Sequence, residues 1–212
     1  MNSVRKPDIC IVDYGMGNLL SVASALATLE CRATVSADPA RLVEADALIL
    51  PGVGAFGEAM ERMQALKLVD VLEGRVLGEG VPFLGICLGM QVLGTQSTEG
   101  GLHKGLGWID SKVEVIPADS SIRIPHIGWN EVTWGGEGPL NVNIAQGSHF
   151  YFNHSFCMET AGDFVVATVD VGRLLVAAVV KNNIWGVQFH PEKSQNNGRR
   201  LLRNFLNFVQ AK

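Results

Sequence analysis

The 212-residue sequence contains no long uninterrupted hydrophobic run. One strongly apolar segment, residues 165–180, is broken by Asp170, Gly172 and Arg173, whereas a membrane-spanning helix needs about 20 consecutive apolar residues. We therefore expect no transmembrane span. The sequence also lacks basic clusters, since 17 lysines and arginines stand against 21 aspartates and glutamates. This balance argues against a nucleic-acid-binding protein.

Cysteine is present but not in the spacing of a metal or redox motif. The four cysteines are Cys10, Cys31, Cys87 and Cys157, and no pair has the CxxC spacing. This favours free thiols over disulfides or zinc ligands. The N-terminal segment has an apolar run too short for a signal peptide and no small-residue cleavage site, so we expect a cytoplasmic protein.

What the sequence does contain is a regular alternation of strand-like and helix-like segments, followed by a β-rich half. Before residue 100 we predict strands at 8–15, 45–52 and 81–86, and helices at 19–30, 56–72 and from Leu88. Later β-rich segments are 111–117, 130–134, 149–156, 164–171, 174–181 and 183–190, and a helix follows Gly198. This order predicts one α/β domain spanning residues 1–212, with three layers, a mostly parallel central sheet, helices on both faces and a β-rich C-terminal half.

One of the cysteines lies at a predicted junction between a strand and a helix. Cys87 follows the apolar run 81–86 and is flanked by Gly85 and Gly89 in the stretch FLGICLGMQ. Glycines permit the tight turn that exposes a side chain at the carboxyl end of a strand. The N-terminus of the following helix stabilises a thiolate. The pattern predicts a nucleophile; a core cysteine beside a helix-packing glycine is the alternative.

A histidine and a glutamate near the C-terminus could complete a triad with this cysteine. In VQFHPEK, Pro191 disfavours helical backbone at His190, and residues i and i+2 of an extended segment point to the same side. Glu192 can then accept a hydrogen bond from one imidazole nitrogen while the other nitrogen faces a substrate. Alone, this segment would be interpreted as an exposed turn; together with the cysteine turn, it favours a triad.

A glycine-rich loop could supply a backbone donor for a negatively charged tetrahedral intermediate. One donor would be the amide of Leu88, next to Cys87. The second would come from the loop Gly52, Val53 and Gly54, at the end of the predicted strand 45–52. An ordinary turn before a helix is the alternative. The loop is not a phosphate-binding motif, because no Lys-Ser/Thr pair follows it.

Six segments then identify a family. They are DYGMGN (13–18), PGVGAFGEAM (51–60), GICLGMQ (85–91), PHIGWN (125–130), YFNHSF (151–156) and VQFHPEKS (187–194). In this order they resemble the class I glutamine amidotransferases, and more narrowly the glutaminase subunits of imidazole glycerol phosphate synthase, which serve histidine biosynthesis. The resemblance extends from Asp13 to the last helix. Two positions depart from the expected pattern: Asn153 replaces a bulkier apolar residue, and Phe156 replaces a tyrosine.

The resemblance implies a reaction that needs no metal and no cofactor. Cys87 attacks the side-chain amide of glutamine, and the amides of Val53 and Leu88 hold the oxyanion. His190 protonates the departing ammonia and then activates water, while Glu192 keeps His190 oriented.

The same resemblance places four further residues at glutamine-binding positions. Glu99 would face the α-ammonium group, and Gln91, His154 and Ser155 would contact other parts of the substrate. The alternatives are a helix-surface position for Gln91 and an ordinary strand end for His154 and Ser155.

The resemblance also implies a partner, a TIM-barrel cyclase that uses the ammonia to form imidazole glycerol phosphate and an aminoimidazole carboxamide ribonucleotide. We expect Trp129, Tyr151 and Lys193 at this interface; for the two aromatic residues, the alternative is the core of the β-rich half. Two other functions remain open from the sequence. One is a related subunit that feeds ammonia to another synthase, for example in surface-polysaccharide sugar modification. The other is an α/β binding protein without activity.

Overall fold

The computed structural model describes residues 5–117, 123–160 and 163–212. Its strands are β1 (Asp8–Val12), β2 (Arg32–Ser36), β3 (Ala47–Gly52), β4 (Phe83–Cys87), β5 (Gln96–Ser97), β6 (His103–Lys104), β7 (Lys112–Val115), β8 (His126–Trp134), β9 (Ser148–His154), β10 (Phe156–Glu159), β11 (Val165–Asp170), β12 (Leu174–Lys181) and β13 (Ile184–Val187). Its α-helices are α1 (Leu19–Ala27), α2 (Pro39–Glu44), α3 (Phe56–Ala65), α4 (Leu68–Glu73), α5 (Leu88–Gln91) and α6 (Gln195–Gln210). Short 3-10 helices span Pro139–Asn141 and Pro191–Lys193, and a π-helical turn spans Gly74–Gly78.

A nine-stranded sheet forms the centre of the structure, in the order β2-β1-β3-β4-β13-β12-β11-β8-β9. The strands from β2 to β13 pair in parallel, and those from β13 to β9 pair antiparallel. A second, four-stranded sheet has the order β10-β7-β5-β6. The predicted α/β class and the β-rich C-terminal half are therefore confirmed. The β-rich half both extends the central sheet and builds a second one.

Alternate residues of the central strands face two different hydrophobic clusters, which makes the fold three-layered. Ile9 and Ile11 of β1 pack on the side that carries α1 and α6. Cys10 and Val12 of the same strand pack on the side that carries α3 and α4. This period of two, continued through β3 and β4, leaves the central strands buried on both faces, as parallel sheets require.

Several local predictions were wrong in their boundaries. The helix predicted over 56–72 ends at Ala65, because Lys67 adopts a left-handed φ of 56° before α4 begins. The last helix begins at Gln195, three residues before Gly198, which lies within its first turn.

Strands β2, β5 and β6 and helix α2 were not predicted at all. Strand β2 lies at the edge of the central sheet and is mostly exposed, so its apolar pattern is weak. Helix α2 is only six residues long, although it carries a recognisable start signal: the Asp38 side chain accepts the amide of Ala40, and Pro39 is the first helical residue. No helix in residues 5–117, 123–160 and 163–212 is long and apolar enough to cross a membrane.

Candidate active site

Cys87 forms a strained turn between β4 and α5. It is the last residue of the strand and has φ 55° and ψ −110°, an unfavourable conformation for a residue with a side chain. The glycines around it allow close packing: a Cβ on Gly85 would collide with the carbonyl of Gly89, and one on Gly89 with the carbonyl oxygen of Leu50. The turn thus holds the Cys87 thiol at the carboxyl end of the sheet.

The predicted oxyanion loop lies directly beside this turn. Strand β3 pairs with β4 so that Gly52 is opposite Cys87, and the chain continues into Val53 and Gly54, whose φ is 116°. Gly52 itself does not line the cavity, and a Cβ on it would meet the hydroxyl of Tyr14 and the side chain of Leu88. Val53 and Gly54 line the cavity with Cys87.

His190 and Glu192 are joined as the sequence predicts. The Nδ1 atom of His190 lies 2.8 Å from Oε1 of Glu192, and the two side chains are only 2% and 1% exposed. The His190 backbone is fixed from both sides: its amide donates to the carbonyl of Tyr151 at 2.9 Å, and its carbonyl accepts the hydroxyl of Ser194 at 2.6 Å. The imidazole therefore has one defined orientation.

Electrostatics favour a charged His190. Burial, the strongest single influence, lowers the pKa of the imidazole, but Cys87 and Glu192 outweigh it and raise the pKa to about 9. The Nε2 atom of His190 is buried and has no hydrogen-bond partner among the described residues. The effect of Cys87 on the pKa of His190 places the thiol near the imidazole. A protonated imidazole beside the thiol can deliver a proton to a leaving group.

A cavity of about 280 Å³ opens beside the cysteine. Its lining residues are Val53, Gly54, Cys87, Leu88, Gln91, Glu99, Pro125, Asn153, His154, Ser155 and Phe156. The structure thus brings together all the predicted substrate-binding residues except Gly52. A larger cleft of about 820 Å³, beside Trp134 and Arg200, shares none of these residues.

The carboxylate of Glu99 is held at a helix N-terminus. Its Oε2 atom accepts the backbone amide of Phe56, the first residue of α3, at 2.8 Å. This contact complements the positive end of the helix and fixes the carboxylate at the cavity wall. The remaining oxygen is available to a positively charged ligand group.

The side chain of His154 is committed to the protein rather than to a ligand. Its Nδ1 donates to the carbonyl of Phe156 at 2.8 Å, so its Nε2 must accept from Nδ1 of His126, 2.9 Å away. Nε2 of His126 lies 2.8 Å from Oδ1 of Asn130 and donates to it. Burial lowers the pKa of His126 and lowers that of His154 to about 3. His154 therefore lines the cavity without offering it a free ring nitrogen.

The two departures from the family pattern matter little to this geometry. Asn153 presents its carbonyl oxygen to the Cys87 sulfur at 3.9 Å and leaves its side chain exposed. Phe156 accepts hydrogen bonds through its carbonyl, from Gln91 at 2.9 Å and from His154. Any residue could supply these backbone groups.

Three residues beside the site were missed by sequence reasoning: His126, Gln188 and Ser194. His126 fixes His154, Ser194 fixes His190, and Gln188 lies 3.6 Å from the Cys87 sulfur. Gln188 and Ser194 lie within VQFHPEKS, and His126 lies within PHIGWN. All three therefore lie in segments that the sequence had already marked as functional. A polar residue in an otherwise buried segment needs a partner.

Trp129, Tyr151 and Lys193 lie together next to His190. Trp129 and Tyr151 are paired across β8 and β9, with ring centroids 6.0 Å apart. The Lys193 ammonium lies 5.6 Å from the Tyr151 ring centroid, and that ring is 6.4 Å from the His190 ring. Trp129 is 44% exposed, so it is not a core residue.

Comparisons with known proteins place this geometry in a family. The family profile "Glutamine amidotransferase class-I" matches residues 10–208. "Imidazole glycerol phosphate synthase subunit HisH 1" of Campylobacter jejuni (strain RM1221) is 43% identical over 198 residues, covering 93% of this chain and 98% of that protein. "Imidazole glycerol phosphate synthase subunit HisH" of Methanothermobacter thermautotrophicus is 45% identical over 204 residues, covering 96% of this chain and 100% of that protein.

A solved structure described as PurLQS from Thermotoga maritima has the same fold. Its TM-score is 0.74 at 19% identity, over 97% of this chain and 100% of that one. At this identity the likeness concerns the fold alone. The profile match and the sequence relatives carry the assignment: the chain belongs to the class I glutamine amidotransferase family.

Proposed function

We propose that this chain is the glutaminase subunit of an imidazole glycerol phosphate synthase, which hydrolyses glutamine to glutamate and ammonia for histidine biosynthesis. One observation carries the proposal: Cys87 lies in a strained turn at a cavity of about 280 Å³, and its thiol and Glu192 together raise the pKa of the buried His190. We take residues 1–212 as a single domain, since both hydrophobic clusters pack on the same central sheet. We place the protein in the cytoplasm, where its thiols stay reduced.

The proposed reaction has two halves, with Cys87 as nucleophile. The Cys87 sulfur attacks the amide carbon of glutamine, and the resulting oxyanion is held by the backbone amides of Val53 and Leu88. His190 gives its proton to the departing nitrogen, so ammonia leaves and a glutamyl thioester remains. His190 then takes a proton from water, the hydroxide attacks the thioester, and glutamate leaves as the thiolate is restored. Glu192 stabilises the imidazolium in the charged steps.

The cavity offers complementary groups for glutamine. Glu99 has one carboxylate oxygen free for the α-ammonium group, while its other oxygen is tied to α3. Both amide hydrogens of Gln91 are used, on Phe156 and Gln188, which leaves its Oε1 atom for the substrate. His154 and Ser155 form part of the cavity wall. A cavity of about 280 Å³ suits a small amino acid.

Ammonia released at Cys87 requires a partner that covers the site, because free ammonia becomes ammonium in water. The relatives are named as subunits of a synthase, and we propose a TIM-barrel cyclase as the partner here. Trp129, Tyr151 and Lys193 form the proposed interface. The two aromatic residues lie on the exposed face of β8 and β9, and Lys193 lies over Tyr151 beside His190. Ile127, 57% exposed on the same face of β8, extends the apolar surface. Supply of ammonia to a different synthase is not favoured, since both relatives carry the same subunit name.

The test compares two nitrogen sources in the complex with the cyclase subunit. Cys87→Ala should abolish synthesis from glutamine and leave synthesis from added ammonium salts nearly unchanged, because the acceptor chemistry lies on the other subunit. Cys31→Ala is the matched control and should keep both activities, since Cys31 lies outside the cavity. Equal loss of both activities in Cys87→Ala, or retention of both, would contradict the proposal.

A further inference from the structure

Gln188 has no part in the mechanism described above, although it is fully buried beside the nucleophile. It follows strand β13, and its backbone amide donates to the carbonyl of Ala177 in β12 at 2.9 Å. Its side chain points toward β4, where its Nε2 atom lies 3.6 Å from the Cys87 sulfur. Gln188 is 0% exposed, so its amide must find partners inside the protein.

The orientation of the Gln188 amide follows from a fixed backbone acceptor. The carbonyl of Phe156 can only accept, so the side-chain atom of Gln91 that lies 2.9 Å from it must be the nitrogen. The same nitrogen lies 3.0 Å from Gln188, which must therefore present its oxygen to Gln91. The Gln188 nitrogen is thus directed at the Cys87 sulfur. Turning this amide over would place two donors against each other and an oxygen against the sulfur.

We propose that Gln188 is a further catalytic residue, whose side-chain N–H donates a hydrogen bond to the Cys87 sulfur and stabilises the thiolate. This inference rests on the proposed function, since it assigns Cys87 as the nucleophile. Unlike His190, an amide carries no titratable proton, so its donation persists in every protonation state of the triad. The bond weakens when the sulfur loses its charge in the thioester, and Gln188 itself forms and breaks no covalent bond.

The test measures the pH dependence of Cys87 alkylation by iodoacetamide in the isolated chain, with the Cys87 peptide quantified by mass spectrometry. Gln188→Met keeps the length of the side chain and removes the donor. The midpoint of the alkylation profile should move to higher pH by about one to two units, the effect of losing a hydrogen bond to a charged group. Gln146→Met is the control, because Gln146 is an exposed glutamine outside the cavity whose side-chain amide, among the described residues, bonds the backbone of Trp134. It should leave the midpoint unchanged.

A second measurement uses the unaltered protein, in case Gln188→Met does not fold. The side-chain amide signal of Gln188 in a ¹⁵N-resolved NMR spectrum should titrate with the alkylation midpoint of Cys87, and this titration should vanish in Cys87→Ser. An amide signal that does not respond to pH, or an unchanged alkylation midpoint in folded Gln188→Met, would overturn the inference. The test is separable from the glutaminase assay: a shifted midpoint in a chain without glutaminase activity would retain the hydrogen bond and reject the proposed function.

Discussion

The nucleophile and the histidine are held in place by different kinds of structure. Cys87 lies between parallel strands, and backbone contacts position it: a strained φ of 55° and glycines packed against Leu50 and Gly89. His190 lies where the sheet becomes antiparallel, and side-chain hydrogen bonds position it, through Glu192 and Ser194. A backbone constraint tolerates almost no added atom, whereas a network of side chains can lose one member and keep its shape. Mutations around Cys87 should therefore destabilise the fold, whereas mutations around His190 should reduce activity in a folded protein.

The largest effect should come from Gly89→Ala on the nucleophile side. The new methyl group would lie 1.7 Å from the Leu50 carbonyl oxygen, and neither backbone segment can move without disrupting β3 or α5. We expect a loss of at least about 3 kcal/mol in the free energy of unfolding, or no folded protein. Chemical denaturation followed by circular dichroism measures this.

Gly74→Ala provides the matched comparison. Gly74 has helical backbone angles, and a methyl group added to it would meet no atom within 4 Å, so alanine should be neutral or slightly stabilising. A Gly89→Ala protein as stable as Gly74→Ala would show that the turn around Cys87 is not held by backbone contact.

On the histidine side, Glu192→Gln should reduce activity without unfolding the chain. The amide fills the same buried space but cannot stabilise the His190 imidazolium, and its NH₂ group can favour the wrong tautomer. We expect kcat for glutamine hydrolysis in the complex to fall about 10²–10⁴-fold, less than in Cys87→Ala. Steady-state kinetics with both variants gives the ranking. A Glu192→Gln variant as inactive as Cys87→Ala would mean that Glu192 does more than orient and stabilise the histidine.

A smaller effect, on partner binding, should follow from shortening side chains of the proposed interface next to His190. Trp129→Ala and Lys193→Ala should each weaken binding to the cyclase subunit by about 2 kcal/mol, roughly 30-fold in Kd. Calorimetric titration measures the affinity, and the yield of product per glutamine measures the coupling. Leu174→Ala is the control, because Leu174 is 68% exposed on a different strand. Unchanged binding and coupling in a folded Trp129/Lys193 double variant would show that the partner docks elsewhere.

Both sides of the site depend on residues that lie close together in the sequence. The nucleophile side depends on local signals, since Gly85, Cys87 and Gly89 lie within five positions. The His190–Glu192 pair is equally local, two residues apart. Both are therefore visible in the sequence, and the alternation of strands and helices places them in one α/β fold.

Contacts between distant strands could not be predicted in this way. Gln188 meets Cys87 across 101 positions, and only the placement of β13 between β4 and β12 brings them together. His126 meets His154 through the register of β8 with β9. The segment predicted as one strand over 149–156 contributes to two sheets, because the chain leaves β9 at Ser155 and joins β7 as β10. The spacing of polar residues along the chain does not show which residues of two distant strands are paired.

The last prediction separates the buried histidines by the sign of their pH dependence. His154 is buried and has a pKa of about 3, below its ordinary value of 6.5, so the folded protein binds fewer protons than the unfolded chain below pH 6.5. Its contribution to stability is present above pH 6.5 and is lost as the pH falls, at up to about 1.4 kcal/mol per pH unit. His154→Gln should therefore make the free energy of unfolding less dependent on pH between 6 and 4. Urea denaturation at several pH values measures these slopes.

His190 supplies an internal comparison with the opposite sign. Because Cys87 and Glu192 raise its pKa to about 9 despite its burial, its contribution is complete below pH 6.5 and is lost as the pH rises through 9. This alkaline slope should be the same in the unaltered protein and in His154→Gln, while the acidic slope differs. The slopes are compared rather than the absolute free energies of unfolding, because the substitution of His154 by glutamine also changes the hydrogen bonds to His126 and Phe156. An unchanged acidic slope would mean that His154 is not buried as a neutral ring, and that the chain from His126 to Phe156 is not formed in solution.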